Sequence, residues 1–298
     1  MEHNTKEVLV LGATGRQGGA VARKLQQRGW PVRALCRDPE KPAARALAEA
    51  GVRVFRGDLD DRRSLDEAVK GAYGVFGLQN FWDGFPARVL GVEHEVAQGK
   101  RLLDAAKAAG VQHFIQASAG GAAARSGVPH IESKRLIEKH ALSLRIPATF
   151  IRPVFYMDNF NIPEFGLRGA VLEGRLELPL LADKKHQMVA LDDVGHFTAM
   201  ALERPQEFIG AAFDLASDEL TMVEIAETFA RVIGRPVRFV GGPEHMPQVR
   251  SFSEEFALMY EWFNAEGFGA FIPGLRALHP GLSTFESFLR RTGWEGKA

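Results

Sequence analysis

Three groups of residues in this 298-residue chain have types and spacing that point to chemistry. The first is the string Gly12-Ala13-Thr14-Gly15-Arg16-Gln17-Gly18-Gly19, which follows an apolar run and opens an amphipathic stretch. One glycine suits a tight turn, a second lets backbone approach a diphosphate without a Cβ in the way, and a third lets helix and strand pack closely. A helix starting there offers free N–H groups and partial positive charge to phosphate oxygens. Gly12, Thr14, Gly15, Arg16, Gln17 and Gly18 are therefore candidate cofactor-binding residues. An ordinary turn is the alternative, and the strand-turn-helix setting favours the cradle.

The second group selects the dinucleotide. The next apolar run ends in Leu35-Cys36-Arg37-Asp38, with Lys41 four residues beyond Arg37. A carboxylate at such a strand end accepts from a ribose 2′-hydroxyl, whereas a 2′-phosphate repels carboxylate and matches a guanidinium. Arg37 and Lys41, joined by Arg16, favour NADP(H). Asp38 is the counter-indication, and a merely solvated Arg37 is the plain alternative. After the third run, Asp58 suits the adenine amine and Leu59 one face of the ring; a local Asp turn is the competing reading.

The third group is His130-Ile131-Glu132-Ser133-Lys134, which places an imidazole and an ammonium one helical turn apart. Nearby in the order of elements stand Ser118, at a strand end, and Gln79-Asn80-Phe81-Trp82-Asp83 after the fourth apolar run. Two aromatics beside a sheet edge suit a planar ligand, a partner surface or simple core packing. Cys36 reads either as a redox-active thiol or as a buried strand-end residue.

These residues need a frame that brings strand ends together, and the hydrophobic pattern supplies one. Val8–Leu11 is a continuous apolar run, as for a parallel strand covered on both faces. Alternation then predicts a helix over Arg16–Arg28, a strand over Val32–Cys36, a helix over Ala43–Ala50 and a strand over Val52–Phe55. Further helices are expected at Ser64–Lys70, Val92–Ala109 and Glu132–Leu144, with strands at Tyr73–Leu78, His113–Ala117 and Ala148–Ile151. The fold class expected is α/β, a Rossmann doubly wound parallel sheet with a smaller C-terminal α/β lobe. The expected division is residues 1–153 for the dinucleotide-binding domain and 154–298 mainly for a substrate or partner lobe, with about 186–218 returning to the sheet. Later helices are expected at Leu191–Glu203, at Met222–Ile233 behind a Thr221/Glu224 capping box, at Phe252–Ala265 and at Thr284–Arg291, with a short strand at Phe213–Leu215.

Composition narrows the classes. Lys plus Arg and Asp plus Glu are both 37, so the formal charge is zero, which argues against a nucleic-acid protein held by phosphate contacts. One cysteine allows no internal disulfide, and no Cys/His cluster has metal-binding spacing, so no metal is expected. No apolar stretch reaches the roughly 18 residues of a membrane span and the first residues lack a signal region, so a cytoplasmic protein without membrane contact is expected.

The GxxGxxG spacing resembles the extended and atypical short-chain dehydrogenase/reductases. The fuller GATGRQGG, with RDPEKPAARAL and GDLDD after it, resembles the NmrA-like family. That resemblance covers nearly the whole chain, and it implies an NADP(H)-binding protein. It adds Gln79, Asn80, Ser118, Lys134, Pro153 and Phe155 to the cofactor site, and Phe81, Trp82, Tyr156 and Asn159 to a pocket. Arg152 to Asn159 resembles the family's RxPxxFxxN pattern, with Pro153 as a rigid wall.

The superfamily's Tyr-x-x-x-Lys keeps its lysine here, but His130 stands where tyrosine belongs. Three readings follow: His130 donates the proton, Lys134 serves alone as in isoflavone-reductase-like relatives, or Lys134 only binds ribose. The third implies a dinucleotide-responsive regulator acting through a protein partner. The first two imply a reductase of a quinone or other planar aromatic or enone substrate. Oligomeric state stays open.

Overall fold

The computed structural model describes residues 6–83 and 89–296, and these divide into two compact units. The first comprises residues up to 125, residues 129–152 and residues 194–213. Its strands are β1 Val8–Leu11, β2 Val32–Cys36, β3 Arg53–Arg56, β4 Gly74–Gly77, β5 His113–Ala117 and β6 Ala148–Pro153, with β10 Ala212–Leu215 at the edge. The order is β10-β6-β5-β4-β1-β2-β3. β1 lies parallel between β2 and β4, with Val10 opposite Ala34 and Phe76. The chain therefore runs outward on one side of β1 and restarts on the other at β4, which opens a crevice at the carboxyl ends of β1 and β4.

Burial follows the sequence pattern. All four residues of β1 and all five of β2 and β5 are buried, as central strands between helical layers require. The edge strands are less buried; on β3, Arg53 and Arg56 are exposed, and charge there discourages pairing with another chain. The helices are α1 Arg16–Gln27, α2 Pro42–Glu49, α3 Arg62–Val69, α4 Gly91–Ala108, α5 Pro129–Ser143, α7 Leu191–Glu203 and α8 Pro205–Phe208. α4 and α5 bury Leu102, Leu103, Ile137 and Ala141 in one core with Phe114 and Phe150. α5 begins three residues before its predicted start, since Pro129 takes the first helical position where no N–H is required. His130 is therefore inside the first turn of the helix.

The second unit comprises residues 126–128, 153–193 and 214–296 of the described chain. It holds a three-stranded sheet of β11 Asp218–Leu220, β9 His186–Val189 and β7 Phe155–Tyr156, and a pair formed by β12 Arg238–Phe239 and β8 Arg175–Leu176. These strands are two to four residues long, too short to show alternation. Around them lie α6 Leu167–Leu172, α9 Met222–Ile233, α10 Met246–Phe252, α11 Glu254–Ala265, α12 Ile272–Leu278 and α13 Phe285–Arg291. The helix expected over 252–265 is α11 and starts two residues later: Ser253 accepts from Phe256 N to cap it, and Phe252 instead ends the separate helix α10. α9 carries the reciprocal Thr221–Glu224 capping box. Its face packs Phe229 against Phe285 and Trp294. No helix among the described residues is long and apolar enough to cross a membrane.

Candidate functional site

The glycine string forms a tight cradle between β1 and α1. Gly12 adopts φ +66°, a left-handed conformation that glycine reaches without penalty. Gly15 N donates to Gly12 O at 2.9 Å and closes the turn. A Cβ on Gly18 would stand 2.3 Å from Gly12 O and 2.6 Å from Leu11 O, so only glycine lets α1 lie this close to β1. Gly15 is different: its Cβ direction meets only Gly12 O, at 3.3 Å, and otherwise open space. Gly15 is also the N-cap of α1 and provides no side-chain cap, which leaves the helix's first N–H groups without a side-chain partner, as an anion site requires. Thr14 and Arg16 are exposed beside it, and Gln17 Nε2 is buried with no hydrogen-bond partner among the described residues. Open backbone donors, a glycine where a ligand approaches and an orphaned amide together fit a diphosphate.

At the end of β2, Arg37 forms a two-pronged pair with Asp83: Nη1 to Oδ2 at 2.9 Å and Nη2 to Oδ1 at 3.2 Å. Asp38 turns to its own backbone, accepting from Glu40 N at 3.0 Å. Lys41 is exposed at the N-cap of α2. Cys36 is a buried free cysteine, and burial pushes its thiol pKa up, which disfavours the reactive thiolate. Asp58 closes a local turn, Oδ1 accepting from Asp60 N at 2.9 Å. Arg101 pins the next residue by donating to Leu59 O at 2.9 Å and to Asp60 Oδ1 at 2.8 Å. Against the cost of its burial, hydrogen bonds from Gln98 and Arg101 hold the Asp60 carboxyl below its ordinary pKa. The turn after β3 is thereby fastened to α4.

Lys134 is buried on α5. Its Nζ donates to Glu95 Oε1 at 2.6 Å and to Gln79 O at 2.9 Å, which accounts for two of its three hydrogens. Glu95, on α4, is almost wholly enclosed and accepts also from the Ser133 hydroxyl. The same hydroxyl oxygen lies 2.8 Å from His130 O. The His130 ring packs with Trp82 and Phe81, at centroid separations of 5.6 and 6.0 Å, and Phe81 is buried. Asn80 shapes this turn, its Oδ1 accepting from Trp82 N and its carbonyl from Asp83 N, each at 3.2 Å. The Gln79 side chain accepts from Gln116 Nε2 at 2.8 Å, and Gln79 Nε2 is a second buried amide without a partner among the described residues.

Ser118 follows β5 directly and donates to Glu138, which is also gripped by Arg152 through Nε at 2.9 Å and Nη2 at 2.6 Å. The first unit thus brings together the cradle residues Gly12, Gly15 and Gly18, and separately gathers Gln79, Phe81, Trp82, His130 and Lys134. The remaining expected residues lie in the second unit. Phe155 packs with Phe160 and His186, burial and the Asp158 charge push the Tyr156 phenol up, and Asn159 O accepts from Ile162 N at 3.2 Å. Pro153 ends β6.

Sequence reasoning missed Glu95, Glu138, Arg152 and Asp83 as site partners. Isolated acidic and basic residues on helices or loops read as solvated, and no local spacing announces their partners. Among the described residues, no group of three His, Cys, Asp or Glu side chains is placed to hold a metal.

Comparison with known proteins agrees with this architecture. The NmrA-like family pattern matches residues 4–289. The chain is 31% identical over 256 residues to the NmrA-like family domain-containing oxidoreductase hkm9 of Aspergillus hancockii, covering 80% of this chain and 76% of that one. It is 30% identical over 237 residues to an NAD(P)H azoreductase of Xenophilus azovorans, covering 78% and 76%. Among solved structures, NmrA, a negative transcriptional regulator, superposes with a TM-score of 0.81 at 24% identity, over 96% of this chain and 95% of that one. With its parallel sheet, its glycine cradle and a match spanning almost its full length, this chain belongs to the NmrA-like family.

Proposed function

We propose that the chain binds NADP(H) along the carboxyl edge of the first unit's sheet and acts as a dinucleotide-responsive regulator. Gly12, Gly15 and the α1 N-terminus take the diphosphate, with Thr14, Arg16, Gln17 and Gly18 around it. Arg37, with Lys41 beside it in the chain, takes the 2′-phosphate, because a guanidinium fork matches phosphate oxygens two at a time. Asp58 and Leu59 receive the adenine, and Lys134 turns its remaining N–H towards the nicotinamide ribose near Gln79, Asn80 and Ser118. When bound, the dinucleotide supplies hydride chemistry; the protein's part is to hold and orient it.

The observation that carries the regulatory reading is the state of Lys134. Its ammonium is committed to Glu95 and Gln79 O, so it is built to hold a ligand in place and poorly built to surrender a proton in each turnover. No tyrosine stands one turn before it, and the imidazole there is packed against Phe81 and Trp82. A second reading is favoured by the azoreductase likeness. In it the site reduces a planar electrophile lying on the aromatic turn, and protons come from solvent.

Calorimetry with NADPH and NADH tests the binding site: heat with neither dinucleotide sinks the whole reading. Absorbance of reduced nicotinamide, followed with a panel of quinones, enones and azo dyes, then separates the two uses. Turnover well above background that vanishes in Lys134→Ala while NADPH still binds establishes the reductase and removes the regulator. Binding without turnover on the panel, together with a dinucleotide-dependent change in Trp82 fluorescence, supports the regulator.

A further inference from the structure

The Arg37–Asp83 pair has the geometry of the contact that Arg37 is assigned to make with a 2′-phosphate. Both prongs of one guanidinium edge end on the two carboxylate oxygens, at 2.9 and 3.2 Å. A planar fork facing two anionic oxygens is what a phosphate presents as well. Arg37 is two-thirds exposed and Asp83 about one-quarter, so an incoming anion reaches this pair directly. Asp58 and Asp60 add further negative field at Arg37. A phosphate dianion arriving there must displace a carboxylate already seated and meets two more nearby, which costs affinity through like-charge repulsion. A ribose bearing only a 2′-hydroxyl carries no such charge.

Asp83 is also tied to the aromatic turn. Its N–H donates to Asn80 O, and the Asn80 side chain accepts from Trp82 N, so residues 80–83 form one hydrogen-bonded turn. Trp82 in that turn packs on His130, which lies four residues before Lys134 on α5. A change at Asp83 is therefore passed, through a short hydrogen-bonded turn, to an indole beside the Lys134 end of the site.

We propose that Asp83 is a built-in competitor for the 2′-phosphate: it occupies Arg37 when no phosphorylated ligand is bound and so determines how strongly the chain prefers NADP(H) over NAD(H). Its displacement alters the environment of Trp82, which makes the response selective for the 2′-phosphate. This rests on the assignment of Arg37 given above, and the experiment keeps the two apart.

The full chain is titrated by calorimetry with NADP⁺, NAD⁺, adenosine 2′,5′-bisphosphate and 5′-AMP. The variants are Asp83→Asn, Asp83→Ala, Arg37→Ala and Arg37→Ala/Asp83→Asn. Removing the competing carboxylate is expected to tighten NADP⁺ and adenosine 2′,5′-bisphosphate about tenfold. NAD⁺ and 5′-AMP should stay within about twofold, and the Asp83→Asn gain should disappear in the Arg37→Ala background. In the natural chain, adenosine 2′,5′-bisphosphate should shift tryptophan emission where 5′-AMP does not, and Trp82→Phe should remove the shift. If Arg37→Ala selectively weakens the phosphorylated ligands but neither Asp83 variant tightens them, the competitor idea is overturned and the Arg37 assignment survives. Equal tightening of all four ligands overturns it too, because the effect would then have nothing to do with the 2′-phosphate. If Arg37→Ala weakens phosphorylated and unphosphorylated ligands alike, the Arg37 assignment falls and takes the competitor with it.

Discussion

Lys134 Nζ lies 2.6 Å from Glu95 Oε1, and both side chains are buried, so α5 and α4 are joined by an ion pair inside the first unit. Two charges removed from water are tolerated because they face each other and because Gln79 O accepts from the ammonium and the Ser133 hydroxyl donates to the carboxylate. Glu95→Ala leaves the ammonium enclosed without its counter-charge and should cost about 3–5 kcal/mol of unfolding free energy. Urea denaturation followed by circular dichroism measures this. The double variant Glu95→Leu/Lys134→Met should recover much of the loss, since neither charge is then stranded. A Glu95→Ala protein as stable as the natural one would show that the pair is not closed in solution.

Gly15 and Gly18 should separate stability from binding. Gly18→Ala forces a Cβ to within 2.3 Å of backbone that cannot yield, so the protein should lose about 1–3 kcal/mol or fail to accumulate. Gly15→Ala meets only one atom at 3.3 Å and should fold nearly normally. Its methyl projects into the open space proposed above for the diphosphate, and dinucleotide affinity should fall at least tenfold. Thermal melting and calorimetry on the two variants check the contrast, and similar behaviour of both would refute the cradle geometry.

A second buried network joins β5, α5 and β6 through Ser118, Glu138 and Arg152. Arg152→Leu strands the Glu138 carboxylate, and a loss of about 3 kcal/mol is expected. Adding Glu138→Leu should restore part of that loss, whereas two independent contributions would simply add. A double-mutant cycle on unfolding free energies distinguishes these outcomes.

Two histidines make stability sensitive to acid. Burial lowers His113 to a pKa of about 4, with its ring hydrogen-bonded to Thr149 at 2.8 Å. Burial and the Lys184 charge lower His186 likewise to about 4. Each folded-state value lies below the unfolded value of about 6.5, so the unfolded chain binds the extra proton first as pH falls. Stability is therefore intact above about pH 6.5 and declines towards pH 4, by about 2 kcal/mol per histidine between pH 7 and 5. Denaturation midpoints at those two pH values measure the decline, and His186→Phe should make it shallower. An unchanged slope in that variant would rule out His186 as a contributor.

The parts of the site that were legible in the chain are those whose causes are local. Continuous apolar runs ending in glycine mark central strands and their turns, and the helical spacing after Gly15 places the cradle at a helix start. These signals arise between residues a few positions apart, so they survive without knowledge of the fold. Arg37 could be placed at a strand end for the same reason, and Lys134 on a helix one turn after His130. The short strands of the second unit and the break between α10 and α11 were not readable, because two to four residues carry no period and a single Ser253 cap decides the break.

Tertiary structure alone decided what these residues face. Glu95 is 39 positions from Lys134, and Asp83 is 46 from Arg37. Asp83 meets Arg37 because β4 returns beside β1 and brings the segment after it next to the end of β2, and Glu95 meets Lys134 because α4 and α5 pack in one core. A carboxylate's role depends on the charge it meets and the water it loses, and both are properties of the assembled sheet. In the linear chain Glu95 and Glu138 look like any solvated helix glutamate; buried in the folded first unit, Glu95 holds the Lys134 ammonium and Glu138 the Ser118 hydroxyl.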